Sequence, residues 1–206
     1  MKGNELVWRT IVDRALKGQR VWPNIAELAY YSGVPESTAK LALVRLTDIG
    51  AIRQNPRGGF STINPEKVLL VFAARRSLSA DLIIRSDLHA VQPLLDTAAR
   101  PYALGGPDAA VIYVSRNGVN TVADPGQRIV YLPDTAEVRQ LPAGDEVLVL
   151  RLDPRAELDW SNGYSSAAQT YADLFALPGW QADEFRRALH RACFEHADWE
   201  QRGPDE

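Results

Sequence analysis

The amino-acid sequence predicts an α+β protein: short helices and a hairpin come first, followed by a mixed α/β domain with a small, mainly antiparallel sheet. Helical apolar spacing and turn residues alternate over residues 1–80, whereas three short apolar runs separated by turns lie further along the chain. The charge also changes sign, because residues 1–80 hold 12 Lys and Arg against 6 Asp and Glu, and residues 81–206 hold 11 against 20. We therefore expect two domains, residues 1–80 and residues 81–206.

The composition indicates a globular protein with a core. The chain has 206 residues, of which 46% are hydrophobic and 24% charged. The start, MKGNELVWRT, lacks an apolar signal core, and the longest apolar runs are too short to cross a bilayer, so we expect neither export nor membrane insertion. Cys193 is the one cysteine and cannot form an internal disulfide, which is compatible with the reducing cytoplasm where we expect the protein.

The first predicted element is a helix over residues 5–18, and residues 20–22 are expected to form a short strand after it. Apolar side chains recur along the helix at the spacing of one helical face. We expect that face to complete a three-helix core in the first domain. Its members are Leu6, Val7, Ile11, Ala15 and Leu16.

A pair of helices is predicted next. Asn24 is a natural N-cap for the first of them, and Gly33 can adopt the left-handed conformation of a tight turn between helices. Pro35 is expected at the first position of the second helix, where its missing N–H is tolerated. The buried stripe of this second helix is predicted to be Ala39, Ala42, Leu43, Leu46 and Ile49.

A hairpin and a fourth helix follow the pair. Gly50 ends the second helix, residues 51–54 and 60–63 are predicted strands, and residues 55–59 form the turn between them. Asn64, with Pro65 after it, then begins a mostly apolar helix that we expect to pack between domains or against a second subunit. This order of helices and hairpin is typical of a winged helix-turn-helix, and it predicts binding to double-stranded DNA. The alternative is a scaffold that contacts protein.

The residues of this module that face outward are short or basic, as in groups that contact base edges and phosphates. Helix N-termini also bind phosphate, and hairpin arginines reach the DNA backbone or the minor groove. One such module buries little surface, so we expect a homodimer on a palindrome. The residues predicted to contact DNA are Glu36, Ser37, Thr38 and Lys40 near the bases, Arg45 at a phosphate, Arg53 and Arg57 on the hairpin, and Asn24 at the start of the first helix of the pair.

The second domain is predicted to contain three strands and two closing helices. A capping box at Ser166 and Gln169 begins one helix, and the last helix is expected over residues 181–196. The side chains expected to point inward from these helices are Tyr171, Leu174, Phe175, Phe185, Leu189 and Phe194. The strands are expected at Arg128–Leu132, Val138–Leu141 and Glu146–Leu152.

Enzyme chemistry is not predicted for either domain. Gly105-Gly106 before a helix is a feature of nucleotidyltransferases, but the paired carboxylates that would hold Mg²⁺ are missing, because no acid lies between Asp108 and Asp124. The spacing of His190, Cys193 and His196 places them near one helix face, but no second cluster completes a zinc site. We therefore expect no catalysis, no cofactor and no metal.

A small-molecule effector in the second domain remains a third alternative. Several of its aromatic side chains could line a pocket, although scattered aromatic residues more often form a core. These residues are Tyr102, Tyr113, Tyr131, Trp160 and Tyr164.

Most of the chain resembles the AbiEi family, in which a winged helix is followed by a stretch like PYALGGPDAAVIYV, a run of short strands and a stretch like SSAAQTYADLFALPG. Its members are antitoxins and repressors of type IV toxin–antitoxin pairs and related regulators. The resemblance implies a winged domain that binds inverted repeats in its own promoter, and a C-terminal domain that neutralises a nucleotidyltransferase-like toxin. It is carried by Gly105, Pro107, Ala109 and Ala110 in the first stretch, and by Ser166, Gln169, Tyr171, Asp173 and Leu174 in the second.

Overall fold

The chain folds as an α+β protein with two compact units, as seen in a computed structural model. Met1–Arg76 with Phe194–Glu206 form one, the N-terminal unit, and Ser77–Cys193 form the other, the central unit. The first stretch of the N-terminal unit thus ends four residues before the boundary expected at residue 80. The structure describes residues 1–56, 58–96, 101–116, 118, 124–153, 155, 160 and 162–195.

The N-terminal unit consists of four helices and a small sheet. Its three strands are antiparallel and lie in the order β1-β3-β2. The elements are α1 (Gly3–Leu16), β1 (Val21–Trp22), α2 (Ile25–Ser32), α3 (Glu36–Asp48), β2 (Ile52–Gln54), β3 (Phe60–Thr62) and α4 (Pro65–Arg75).

Helix α1 is the centre of this unit, because α2, α3 and α4 all pack against it. Val7 and Ile11 are fully buried, and the indole N–H of Trp8 donates to the carbonyl oxygen of Ala42 in α3 over 3.0 Å. A buried indole needs such a partner, so the bond fixes the rotation of α3 relative to α1. The opposite side of α1 is also buried although it is charged, through Glu5, Arg9 and Asp13.

Local sequence signals determine where the helices begin and end. The Asn24 side chain accepts from the Glu27 N–H over 2.8 Å, and the Asn64 side chain accepts from the Lys67 N–H over 2.9 Å, which confirms the two predicted N-caps. Gly33 has the predicted left-handed backbone, with φ of 65°. Pro35 lies one residue outside α3, as its N-cap, which corrects its predicted place at the first helical position.

The hairpin is held to the rest of the unit by aromatic stacking. Trp22 of β1 pairs with Phe60 of β3, and their rings stack with centroids 5.9 Å apart. The turn is closed by two backbone bonds, in which the N–H of Asn55 donates to Gly59 and the N–H of Gly58 donates to Asn55. Strand β3, up to the end that adjoins the turn, is therefore fixed to β1.

The central unit contains a four-stranded sheet in the order β4-β7-β6-β5, whose central pair is parallel and whose outer pairs are antiparallel. Its strands are β4 (Leu82–Ser86), β5 (Ala103–Gly105), β6 (Arg128–Leu132) and β7 (Val147–Arg151). Its helices are α5 (Leu88–Leu95), α6 (Gly106–Arg116), α7 (Ala136–Arg139), α8 (Ala167–Ala176) and α9 (Trp180–His190).

Both faces of this sheet are covered. Val130 and Val149 belong to a cluster with Val91 of α5 and Val138 of α7 on one face. Helix α6 packs against β5 and β6 and also against α8 and α9. Two-sided burial explains why β6 and β7 are almost continuously apolar rather than alternating.

The structure corrects three predictions made from the apolar pattern. The predicted strand Val138–Leu141 lies instead in and after helix α7, because Thr135 caps a helical turn by accepting from the Val138 N–H. Phe175 is 47% exposed, although it was expected to point inward. Ile49 is half-buried at the C-cap of α3 and lies outside the helix's buried stripe.

The hairpin turn supplies a test of backbone geometry. Gly58 and Gly59 both have positive φ, of 92° and 72°, but a Cβ at Gly59 would overlap the Trp22 carbonyl oxygen, whereas nothing lies within 4 Å at Gly58. We expect Gly59→Ala to lower the free energy of hairpin opening by about 1–3 kcal/mol more than Gly58→Ala does. Hydrogen exchange of the β2 and β3 amides measures the free energy of hairpin opening in both variants. Equal losses of opening free energy in the two variants would contradict the close approach of Gly59 to the Trp22 carbonyl oxygen.

Asp134 supplies a test of electrostatics in the central unit. Its carboxylate accepts from Arg139 over 2.6 Å and from Arg151 over 2.9 Å, and these bonds, that from Arg139 foremost, lower the pKa of Asp134 to about 2. The pairing therefore stabilises the fold above the ordinary carboxyl pKa and is lost as the pH falls towards 2.

We expect the carboxyl ¹³C shift of Asp134 to titrate near pH 2 in the native protein. Arg139→Gln should raise the midpoint more than Arg151→Gln, because the Arg139 bond is the larger cause. Arg187→Gln is the control, since Arg187 pairs with Glu184 and should leave the Asp134 titration unchanged. A midpoint near 4 in the wild-type protein would show that the pairing does not form.

Candidate nucleic-acid interface

The candidate interface is the outward face of α3. The inward face is formed by Ala39, Ala42, Leu43 and Leu46, which are all buried. At 3.6 residues per turn, the positions directly opposite this stripe are exposed and form a row along the helix. They are Ser37, Leu41, Val44 and Asp48.

This row has an apolar middle and charged sides. Leu41 is 73% exposed and Val44 is 53% exposed. Lys40 is exposed on one side of the row and Arg45 on the other. The sequence prediction named the polar groups of this face but missed Leu41 and Val44, although counting positions opposite the buried stripe would have found them.

The remaining predicted contact residues of α3 occupy different environments. Glu36 is exposed in the first turn of the helix. Thr38 is half-buried beside the start of α1, where a Cβ added to Gly3 would lie 2.6 Å from its methyl group. Thr38 therefore lies on the side of α3 that turns towards α1, away from the middle of the outward row.

At the start of α2, the side chain of Asn24 caps the helix, while the residue itself remains exposed. Helix geometry leaves the N–H groups of Ile25 and Ala26 without partners inside the helix. These groups, rather than the Asn24 side chain, are the ones that a phosphate could meet.

The hairpin contributes an exposed cation. Arg53 lies on β2 opposite Ser61 of β3 and is exposed, as is its neighbour Gln54. Arg57 lies outside the described residues. The hairpin and α3 belong to one compact unit, so Arg53 lies in the same unit as Lys40 and Arg45.

A groove of about 700 Å³ adjoins α3 within the N-terminal unit. Its lining includes Leu41 and Arg45 of α3 together with Val71, Ala74 and Arg75 of α4. Helix α4 buries Val68, Leu69 and Phe72 but leaves Leu70 47% exposed.

In the central unit, Gln169 and Asp173 of the stretch SSAAQTYADLFALPG form a buried polar contact between α8 and β6. The Tyr131 hydroxyl donates to the Asp173 carboxylate over 2.5 Å. The side-chain amide of Gln169 donates to the Tyr131 oxygen over 3.0 Å and to Asp173 over 2.9 Å. The Ser166 hydroxyl accepts from the Gln169 N–H, as one half of the predicted capping box requires. Their burial gives these residues a clear structural role in holding α8 to the sheet.

Asp108 and Cys193, two residues with side chains that enzyme chemistry could use, both lie in the central unit. Burial raises the pKa of Asp108, and the Arg128 guanidinium 3.8 Å away opposes this rise. Burial raises the pKa of the Cys193 thiol to about 11, which keeps it protonated at neutral pH. Within the described residues, no three His, Cys, Asp or Glu side chains are grouped so as to hold a metal ion, and His196 lies outside them.

The aromatic residues considered for an effector site are in part packed against one another. Tyr131 is buried and its ring lies 5.4 Å from that of Trp160. The Tyr113 hydroxyl donates to the backbone oxygen of Ser165 over 2.8 Å. Tyr102 and Tyr164 are half-buried, and the Tyr102 ring lies beside Gly163.

Tyr131→Phe tests the contact between β6 and α8, because it removes only the hydroxyl group. We expect a loss of about 1.5–3 kcal/mol in unfolding free energy, since the lost bond leaves a buried carboxylate without one donor. Tyr113→Phe is the matched control and should cost about 1 kcal/mol, because its acceptor is a neutral carbonyl. Hydrogen exchange of the β6 and α8 amides reports both values. A loss in Tyr131→Phe no larger than the control would contradict the bond.

The described helices are all too short or too polar to span a lipid bilayer. The expected cytoplasmic location and the resemblance to the AbiEi family remain predictions. No protein-family model, no curated protein and no solved structure matches the chain.

Proposed function

We propose that the N-terminal unit is a winged helix-turn-helix that binds double-stranded DNA, and that the protein is a sequence-specific transcriptional regulator. In this proposal α3 is the recognition helix and the β2–β3 hairpin is the wing. The observation that carries the proposal is the outward face of α3, which is exposed, bordered by Lys40 and Arg45, and part of the same compact unit as Arg53.

The order of elements supports this assignment. The succession α1-β1-α2-α3-β2-β3, with a tight glycine turn between α2 and α3, is the order that a winged helix-turn-helix requires. Helix α3 has 13 residues and is therefore about 20 Å long, so it can lie in a major groove about 12 Å wide. Packing of α1 behind α3 keeps the opposite face available.

Charge supports the same assignment. The balance of 12 Lys and Arg against 6 Asp and Glu in residues 1–80 attracts a phosphate backbone. Two of those acids, Glu5 and Asp13, are buried, as are two of the arginines, Arg9 and Arg76, so burial leaves the excess of basic residues unchanged. The excess of acids in residues 81–206 disfavours DNA contact by the rest of the chain.

The resemblance to AbiEi regulators extends the proposal to autoregulation. A homodimer would place two copies of α3 on the halves of an inverted repeat in the protein's own promoter, which doubles a contact area that is small for one module. We include the dimer in the proposed function.

A second candidate function is binding of a protein partner by the central unit, such as a nucleotidyltransferase-like toxin. Trp180 at the start of α9 is 61% exposed and Phe175 at the end of α8 is 47% exposed, in a part of the chain that is acidic overall. Large exposed aromatic side chains are frequent anchors of protein interfaces. If the neighbouring gene encodes such a toxin, Trp180→Ala should reduce copurification of the two proteins, and an unchanged complex would exclude Trp180 as an anchor.

The DNA-binding proposal is tested with the full chain and duplexes from its own promoter, by fluorescence anisotropy over a range of salt concentrations. We expect Lys40→Ala and Arg53→Ala to weaken binding, and Arg57→Ala likewise. Each phosphate contact that is lost should reduce the slope of log affinity against log salt by about 1.

Arg116→Ala is the charge-matched control, because Arg116 is exposed in the last turn of α6 in the central unit. It should leave both the affinity and the salt slope unchanged. The proposal is wrong if the wild-type chain does not bind DNA, or if Lys40→Ala and Arg53→Ala bind as tightly as the control at about 0.15 M salt.

A further inference from the structure

We propose that Leu41 and Val44 are specificity-determining residues that contact the 5-methyl groups of thymines in the operator. This inference rests on the proposed DNA-binding function and names the base chemistry that α3 recognises. It predicts that each operator half-site carries two thymines opposite the middle of α3.

The position of the two side chains is the first step of the argument. Scattered exposed apolar residues are ordinary on protein surfaces. Leu41 and Val44, however, are 73% and 53% exposed and lie together in the row opposite the buried stripe of α3. A helix that enters a groove presents the middle of this row to the floor of the groove, and the base edges lie there.

The chemistry of the groove floor is the second step. Leucine and valine offer no hydrogen bond, so they cannot satisfy the donors and acceptors that guanine, cytosine and adenine present. The 5-methyl group of thymine is the apolar feature of the major groove and belongs to that base alone. Burying a methyl group against an aliphatic side chain is favourable, whereas covering a polar base edge with one is costly.

The spacing of the pair is the third step. Residues three apart lie on one helix face, and the rise of 1.5 Å per residue separates them by about 4.5 Å along the axis. Successive base pairs are about 3.4 Å apart, so the two side chains reach neighbouring base pairs or base pairs one step further apart. The two thymines should therefore be adjacent or separated by a single base pair.

The flanking groups favour DNA over a protein partner as the occupant of this face. Ser37 and Lys40 precede the apolar pair on the outward side, and the exposed Arg45 follows it. Asp48 is exposed in the last turn, where its charge would repel a phosphate. Glu36 is likewise exposed in the first turn, so the two cations flank the middle of the row, and the middle turns are the part of α3 that we place in the groove.

The experiment first selects the binding site of the full chain from a library of random duplexes. Each thymine of the selected half-site is then replaced by deoxyuridine, which removes the methyl group and leaves the hydrogen-bonding groups unchanged. Fluorescence anisotropy gives the affinity for each duplex. For the wild-type chain we expect about a fourfold loss at each of two positions, the loss that corresponds to one buried methyl group.

Variants assign each position to a side chain. Leu41→Ala should abolish the difference in affinity between the thymine and the uracil duplex at one of the two positions. Val44→Ala should abolish that difference at the other position. Leu70→Ala is the matched control, because Leu70 is 47% exposed on α4 and should keep both differences. Circular dichroism confirms the fold of each variant.

The outcomes separate this inference from the function on which it rests. Suppose that the wild-type chain binds DNA and that its affinity depends on Lys40, but that replacing thymine by uracil lowers the affinity at no position. The inference is then wrong and the DNA-binding function stands. If both variants keep the thymine preference, other residues read the methyl groups and the inference is again wrong. If the chain selects no DNA sequence, the proposed function and this inference both fail.

Discussion

The N-terminal unit depends on the packing of α1 beneath α3. The indole of Trp8 is buried and donates to the Ala42 carbonyl, so α3 cannot roll without leaving a buried donor unpaired. That bond, together with the small residues Ala39 and Ala42 on the inner face, determines which side chains of α3 point outward. The chemistry proposed for the outward face is therefore a consequence of how the inner face is filled.

The sequence predicted best those features that depend on local geometry. The caps at Asn24 and Asn64 and the left-handed turn at Gly33 follow from backbone chemistry that acts within a few residues, and the structure contains all three. The strand at Arg128–Leu132 was also predicted at its observed bounds, because an apolar run between turn residues is a strong signal.

Features that depend on tertiary contacts were predicted less well. The apolar run at Val138–Leu141 has the composition of a strand, but a threonine cap and the neighbouring α5 favour a helical turn that buries Val138 alone. In the candidate interface, the charges of Lys40 and Arg45 predict their exposure, whereas the sequence pattern does not predict the exposure of Leu41, since an apolar residue in a helix normally belongs to the core. Which side of a helix is covered depends on partners that are distant in sequence.

The partial burial of Cys193 has a consequence for the chemical durability of the protein. Peroxides and electrophiles react with a thiolate, and a thiol whose pKa is raised to about 11 supplies almost none of that form under physiological conditions. Oxidants should therefore modify this side chain more slowly than an exposed thiol of ordinary pKa. A second cysteine introduced on the surface would be the only fast-reacting one, so fluorophores or spin labels could be attached there without first removing the native residue.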